Sequence, residues 1–165
     1  MTQDHNNDSD TYVLFQVAGT TYGVRSGLVQ QMEMIDHITP VPNASPVVDG
    51  VIFSRGRVVP AISLRARFGF ERAPIESRTR LVVVGIDGRT VGFIVDTARE
   101  FISIPAQAIA PPSDGICGLS GKYLEGIATL ADRIVLILNL TEVINLAEII
   151  EGGAQSVIRT QPERI

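Results

Sequence analysis

With a single cysteine, Cys117, the chain can form no internal disulfide and no thiolate-clustered metal site. Tryptophan is absent, aromatic residues make up 5% of the chain, and histidine occurs only as His5 and His37. There is no excess of positive charge: 14 Lys and Arg stand against 18 Asp and Glu, a net charge of −4. A nucleic-acid binder carries a basic footprint and, for single strands, stacking aromatics, so that class is excluded. No apolar run reaches the roughly 18 residues of a membrane-spanning helix. Even the stretch at 127–140 is broken by Asp132-Arg133. The opening MTQDHNNDSD is polar and acidic, the opposite of a signal peptide. What is present is 165 residues, 45% of them apolar and 19% charged, enough for one ordinary domain with a core and too apolar for disorder. The expectation is a soluble, cytoplasmic, globular protein with neither nucleic acid as a partner nor direct membrane insertion.

Residues 1–10 carry no apolar side chain after Met1 and read as a disordered tail; 151–165 read as a second, flexible one. Between them, over 11–150, the pattern is β. YVLFQV at 12–17, LVVVGI at 81–86, TVGFIV at 90–95 and IVLIL at 134–138 are short runs rich in β-branched residues. Gly19-Thr20, Arg55-Gly56, Asp87-Gly88 and Asp132-Arg133 punctuate them as turns. The loss of simple alternation in LVVV and IVLIL predicts strands buried on both faces. Helical signals are few: LRARF at 64–68, stopped by Gly69, and LTEVINLAEII at 140–150, with Thr141 as its N-cap and Gly152 as its stop. The segments 40–46 and 105–112, rich in proline, read as connectors. The fold class is all-β with short helices.

An internal echo organises this pattern. VDGVIFSRGRVVPAISL (48–64) aligns without gaps on LEGIATLADRIVLILNL (124–140), matching Gly50 to Gly126, Arg57 to Arg133 and Leu64 to Leu140. Upstream, YVLFQVAGTTYGV (12–24) aligns on LVVVGIDGRTVGF (81–93), matching Gly19 to Gly88 and Gly23 to Gly92. Matched glycines constrain backbone geometry more than matched apolar residues do. The echo predicts two similar small barrels, roughly 11–75 and 76–150, each too small to be comfortably stable alone and packed face to face.

Catalytic machinery does not emerge. GICGLSGKYLEG at 115–126 lacks the first glycine of a phosphate-binding loop, and Tyr123 takes the place of its metal-binding hydroxyl. His37 is the only histidine within the domain, and no nucleophile elbow accompanies it. Carboxylates at Asp49, Asp87, Asp96, Glu100 and Asp114 sit where turns and strand ends are expected. A hydrolase using His37 and Asp96 is the enzyme alternative. The remaining polar feature is Arg55, at a hairpin tip between apolar strands, where a planar guanidinium suits an interface anchor.

Taken in chain order, TPVPNAS (39–45), DGVIFSRGRVVPAISLRARFG (49–69), TVGFIVD (90–96), IAPP (109–112) and YLEGIATLADRIVLILNL (123–140) resemble the CheW family of bacterial chemotaxis coupling proteins. The resemblance runs from about residue 12 to 150. Its most specific part is the second segment, similar to the family's G-V-x-x-x-R-G-x-x-x-P-x-x-x-L. It implies two SH3-like five-stranded β-barrels around a shared core, followed by a C-terminal helix, and a non-enzymatic adaptor without a cofactor. Implied partners are the cytoplasmic tip of chemoreceptors (methyl-accepting chemotaxis proteins), the regulatory domain of a CheA-type histidine kinase, and other CheW-like domains in rings. Such a protein is cytoplasmic and recruited to membrane-associated receptor arrays. Carried over by position, Arg55 matches the family's functionally important arginine, with Gly56 beside it, and Val29 matches an apolar receptor-contact position. Gln31 and Val51 complete the expected partner-binding set. The chain departs from the pattern at Gln31, where the family often has a glutamate that pairs with the arginine; Glu33 is the nearest substitute. Phe53-Ser54 replaces the usual Asn-Leu. These departures leave open an output other than chemotaxis, such as pili, and a kinase-independent scaffold of receptor arrays as the alternative function.

Overall fold

The computed structural model describes residues 9–112 and 121–145. In chain order the strands are β1 (Ser9–Val17), β2 (Thr20–Arg25), β3 (Val29–Met34), β4 (Val48–Ser54), β5 (Arg57–Ser63), β6 (Arg80–Ile86), β7 (Arg89–Val95), β8 (Thr97–Pro105), β9 (Ile109–Ala110), β10 (Leu124–Thr129) and β11 (Ile134–Leu138). Two single-turn helices, α1 (Leu64–Arg67) and α2 (Leu140–Val143), follow β5 and β11. Three hairpins turn on residue pairs that both have positive φ: Ala18-Gly19, Arg55-Gly56 and Asp87-Gly88. That sign pattern belongs to the type I′ turn, whose twist matches the strands it joins.

The strands form two antiparallel-rich sheets, one of six strands in the order β8-β1-β2-β11-β10-β9 and one of five in the order β3-β6-β7-β5-β4. The echo is real, and the two copies exchange partners. Ala61 on β5 pairs in parallel with Gly92 on β7, and its echo Ile137 on β11 pairs in parallel with Gly23 on β2. The hairpin β1–β2 therefore lies in a sheet with β8–β11, whereas β6–β7 lies with β3–β5. The sheets do not divide the chain near residue 75, because each takes one hairpin from the other half. Both glycines at the parallel seams are closely covered: a methyl on Gly23 would meet Val135 and Ile137, and one on Gly92 would meet Leu81.

Gly50 and Gly126, matched in the echo, sit at equivalent β-bulges. Beside Gly50, Thr39 donates to and accepts from Val51 (2.9 and 2.8 Å), capping the edge of β4. Val51 thus turns its backbone away from β5, so Pro60 opposite it breaks no ladder bond. Beside Gly126, β9 pairs with Ile127 and Ala128 in the same way.

Three apolar clusters follow. The largest lies between the sheets and draws on both, from Val13, Phe15, Val17, Tyr22 and Val24 on one side to Ile62, Val82, Val84, Phe93 and Val95 on the other. This is the shared core that the sequence predicts. Each sheet also wraps a small cluster of its own: Tyr12, Leu14, Ile104, Ala128, Val135 and Ile137 in the six-stranded sheet, and Ile52, Ala61, Leu81 and Val83 in the five-stranded one. Burial on both faces explains why the strands lack alternation.

Some expectations change. The sheets have six and five strands, and among the described residues neither backbone ladder closes on itself. Ser9 and Asp10, read as tail, pair with Pro105 and Ile104 and extend β1. The cap of α2 is Asn139, whose side chain accepts from the Glu142 amide, rather than the expected Thr141 further along the chain. The helix ends at Val143, with Ile144 as its cap, and Asn145 is no longer helical; residues 146–150 of the expected 140–150 helix lie outside the described residues, as do Cys117, Asp114, residues 1–8 and 151–165.

Candidate protein-interaction site

Strand direction gathers the expected site residues. Because β5 and β7 run parallel, their leading turns, Arg55-Gly56 and Asp87-Gly88, fall at one end of the five-stranded sheet. β3 starts opposite the end of β6, with Val29 facing Val84, so Val29 lies at that end too. The structure thus brings Val29, Gln31, Arg55 and Gly56 to one end of one sheet, with Val51 on β4 nearby. Val29, Gln31 and Val51 are half-buried, whereas Arg55 and Gly56 are exposed.

The two faces of this end differ. On one, Val48 pairs with Ile62 inside the shared core, and the next pairs outward are Val51 with Pro60 and Phe53 with Val58. Alternation, with the bulge at Gly50 taking up the extra residue between Val48 and Val51, puts all six on one side. The shared core therefore runs out along the β4–β5 hairpin into an uncovered strip, ending with Phe53 73% and Val58 62% exposed. The sequence reading missed this strip because VIF and RVVP read as ordinary buried strand; the Phe53-Ser54 departure was its only signal.

On the other face, polar side chains draw the sheet's two edge strands together. Gln31 Nε2 donates to Glu33 Oε2 (2.7 Å) and to Ser54 Oγ, while Ser54 Oγ donates to the same Glu33 oxygen (2.6 Å). Ser54 is buried. Glu33 is thus spent on Ser54 and Gln31, and the substitute pairing with Arg55 is not made. Arg57 crosses the same gap, donating to Gln30 Oε1 at 2.6 Å. Its echo, Arg133, does the equivalent in the other sheet with a carboxylate, gripping both oxygens of Glu100 at 2.7 and 3.0 Å. One sheet is closed by an ion pair and the other by neutral polar contacts around Glu33. Among the described residues, Arg55, Arg57 and Arg89 form no ion pair, while Arg25, Arg65, Arg72, Arg78 and Arg133 do.

Three of the carboxylates considered for chemistry, Asp49, Asp96 and Glu100, are held in ion pairs. Asp96 sits where the chain passes from β7 in one sheet to β8 in the other. Its oxygens accept from Arg65 Nε (3.0 Å) and Nη2 (2.8 Å) and from the Ala18 amide (2.9 Å). Burial pushes its carboxyl up, but the Arg65 guanidinium and the Ala18 amide outweigh this and hold it below the usual carboxylate range. Asp49 pairs with Arg72. His37 is exposed in the 35–47 connector and makes no hydrogen bond to Asp96 among the described residues. A cavity of about 300 Å³ is lined by Leu14, Phe15, Gln16, Thr21, Thr97, Glu100 and Arg133, where the charged groups neutralise each other. No group of three or more potential metal ligands occurs among the described residues, and none of the described helices is long and apolar enough to cross a membrane.

Residues 11–148 match the family model for the CheW-like domain. The chain belongs to the CheW-like family. Among curated relatives, it is 26% identical over 137 residues to the chemotaxis protein CheW of Klebsiella aerogenes, covering 83% of this chain and 82% of that one. To the chemotaxis protein CheW of Bacillus subtilis it is 29% identical over 133 residues, covering 81% and 85%. The crystal structure of the scaffolding protein TtCheW from Thermoanaerobacter tengcongensis superposes with a TM-score of 0.76 at 30% identity, over 81% of this chain and 91% of that one. CheW-like proteins are non-enzymatic adaptors and scaffolds, in keeping with carboxylates committed to structure rather than to a reaction.

Proposed function

We propose that this chain is the coupling adaptor of a chemosensory array, joining the cytoplasmic tips of chemoreceptors to the regulatory domain of a CheA-type histidine kinase. It acts in the cytoplasm, recruited to membrane-associated arrays, and takes part in rings with other CheW-like domains. Each sheet, with its own small core and its edges held by side chains, serves as one SH3-like unit. The observation that carries the reading is Arg55: an exposed arginine on a two-residue turn, without an ion pair among the described residues, at the end of the sheet where Val29 and Val51 are half-buried. A receptor hairpin lays apolar side chains against Val29 and Val51, Gln31 lies beside them, and Arg55 meets the receptor's polar groups. Gly56 supports the turn, since its φ of 86° suits a residue without a side chain. An exposed apolar surface elsewhere on the protein takes the kinase domain. A coupling free energy of about 1–3 kcal/mol between the two sites is enough to bias a kinase equilibrium.

Arg55→Asp tests this assignment. Because the side chain is exposed, the variant keeps the wild-type melting temperature, and its affinity for a receptor-tip fragment falls at least tenfold. Wild-type binding by the variant at matched salt would remove Arg55 from the site.

A further inference from the structure

We propose that the strip Val51, Phe53, Val58 and Pro60, flanked by Arg89 on the neighbouring strand, is a docking surface for a receptor-tip segment that presents an apolar side chain beside a carboxylate, and that Phe53 sets this chain's choice of receptor. The inference rests on the adaptor reading and adds the chemistry of the partner. Single exposed apolar residues need no explanation, but here two consecutive cross-strand pairs continue the shared core into solvent, and the outer pair is more than half exposed on both strands. Cross-strand neighbours lie about 5 Å apart, so Phe53 and Val58 form one contact surface.

Charge decides the occupant. In a chain of net charge −4, Arg55, Arg57 and Arg89 share one end of the five-stranded sheet and have no carboxylate partner among the described residues. Arg57 points to the opposite face from Val58, where its described partner is a neutral amide oxygen, so it adds to the positive charge of this end without lining the strip. Arg89 begins the neighbouring parallel strand. The nearest acid in sequence, Asp87, lies in the β6–β7 turn and pairs with none of them among the described residues. An anionic segment fits these cations, and an apolar residue within it covers Phe53 and Val58. Electrostatic attraction of this kind acts on the association rate and is screened by salt over about 8 Å at physiological ionic strength.

The test uses the full chain, a soluble receptor-tip fragment from the same cell, and the kinase regulatory domain as a control. Two variants change only exposed side chains of the strip and its flank: F53N with V58T, and R89E. Each is expected to lower receptor affinity at least tenfold while kinase-domain binding and the melting temperature stay at wild-type values. Replacing the fragment's tip Asp and Glu by their amides should weaken the wild type but leave the R89E variant unaffected. Receptor binding within twofold of wild type in both variants would overturn the docking surface and leave the adaptor reading in place. Absence of wild-type binding to the receptor fragment would overturn both. Loss of self-association in the variants, with receptor binding intact, would assign the strip to a second copy of the chain and overturn the proposal.

Discussion

Asp96→Asn removes one charge at the point where the two sheets meet. In the wild type the carboxylate accepts two hydrogen bonds from Arg65, on α1, and one from the Ala18 amide in the β1–β2 turn. The asparagine oxygen can still accept from Ala18, but Arg65 loses its anion. Hydrogen bonds to charged groups contribute about 1.5–3 kcal/mol each when sheltered and far less at the surface. Here the partners' side chains are 26% and 29% exposed, which places the loss at about 2 kcal/mol. For a domain of this size that corresponds to about 4–8 °C in melting temperature. The pH dependence gives a sharper test. Because the folded-state carboxyl is held below its ordinary value, its contribution is complete above the unfolded pKa of about 3.9 and disappears as pH falls through the lower folded value. The stability gap between wild type and Asp96→Asn, measured by urea unfolding, should be constant from pH 7 to about 5 and close below about pH 4. A double-mutant cycle with Arg65→Gln should give a coupling of about 1 kcal/mol. A gap unchanged down to pH 3, or strictly additive losses, would refute the assignment of Asp96 and Arg65 as partners.

Two other substitutions test the fold around the interaction site. Gly50→Ala forces a methyl to within 2.8 Å of the Thr39 carbonyl carbon at a φ of 149°. It should cost about 2–4 kcal/mol by breaking the Thr39–Val51 bridge, read as lost amide-exchange protection at Val51. Ser54→Ala leaves the Gln31–Glu33 pair without its buried partner on β4 and should cost about 1–2 kcal/mol in chemical unfolding.

The parts of this fold that follow from local sequence were legible. Turn pairs such as Asp87-Gly88 announce positive φ, and runs such as LVVV require burial on both faces. The echo itself was readable because Gly50 and Gly126 serve the same bulge. The exchange of hairpins between halves was not, since Gly23 and Gly92 pack equally well against either copy of the following hairpin, and no local pattern states which copy is used. β3 and β8 were missed as strands because VQQMEM and TAREFISIP are polar edge segments, where one ladder partner suffices and apolar alternation is weak. At the candidate site, Arg55 stood out as a charge at a turn. Phe53 and Val58 did not, because exposure depends on where the other sheet ends. Glu33 looked available because its partner Ser54 lies 21 residues away on the opposite edge strand.

The most direct test of the account is a titration of this protein against the regulatory domain of the CheA-type kinase from the same cell. Binding with a Kd of about 1 μM or tighter, weakened by apolar-to-charged substitutions on the protein's surface, is the predicted result. No binding by a correctly folded sample would contradict the coupling role and leave a receptor-array scaffold without a kinase partner.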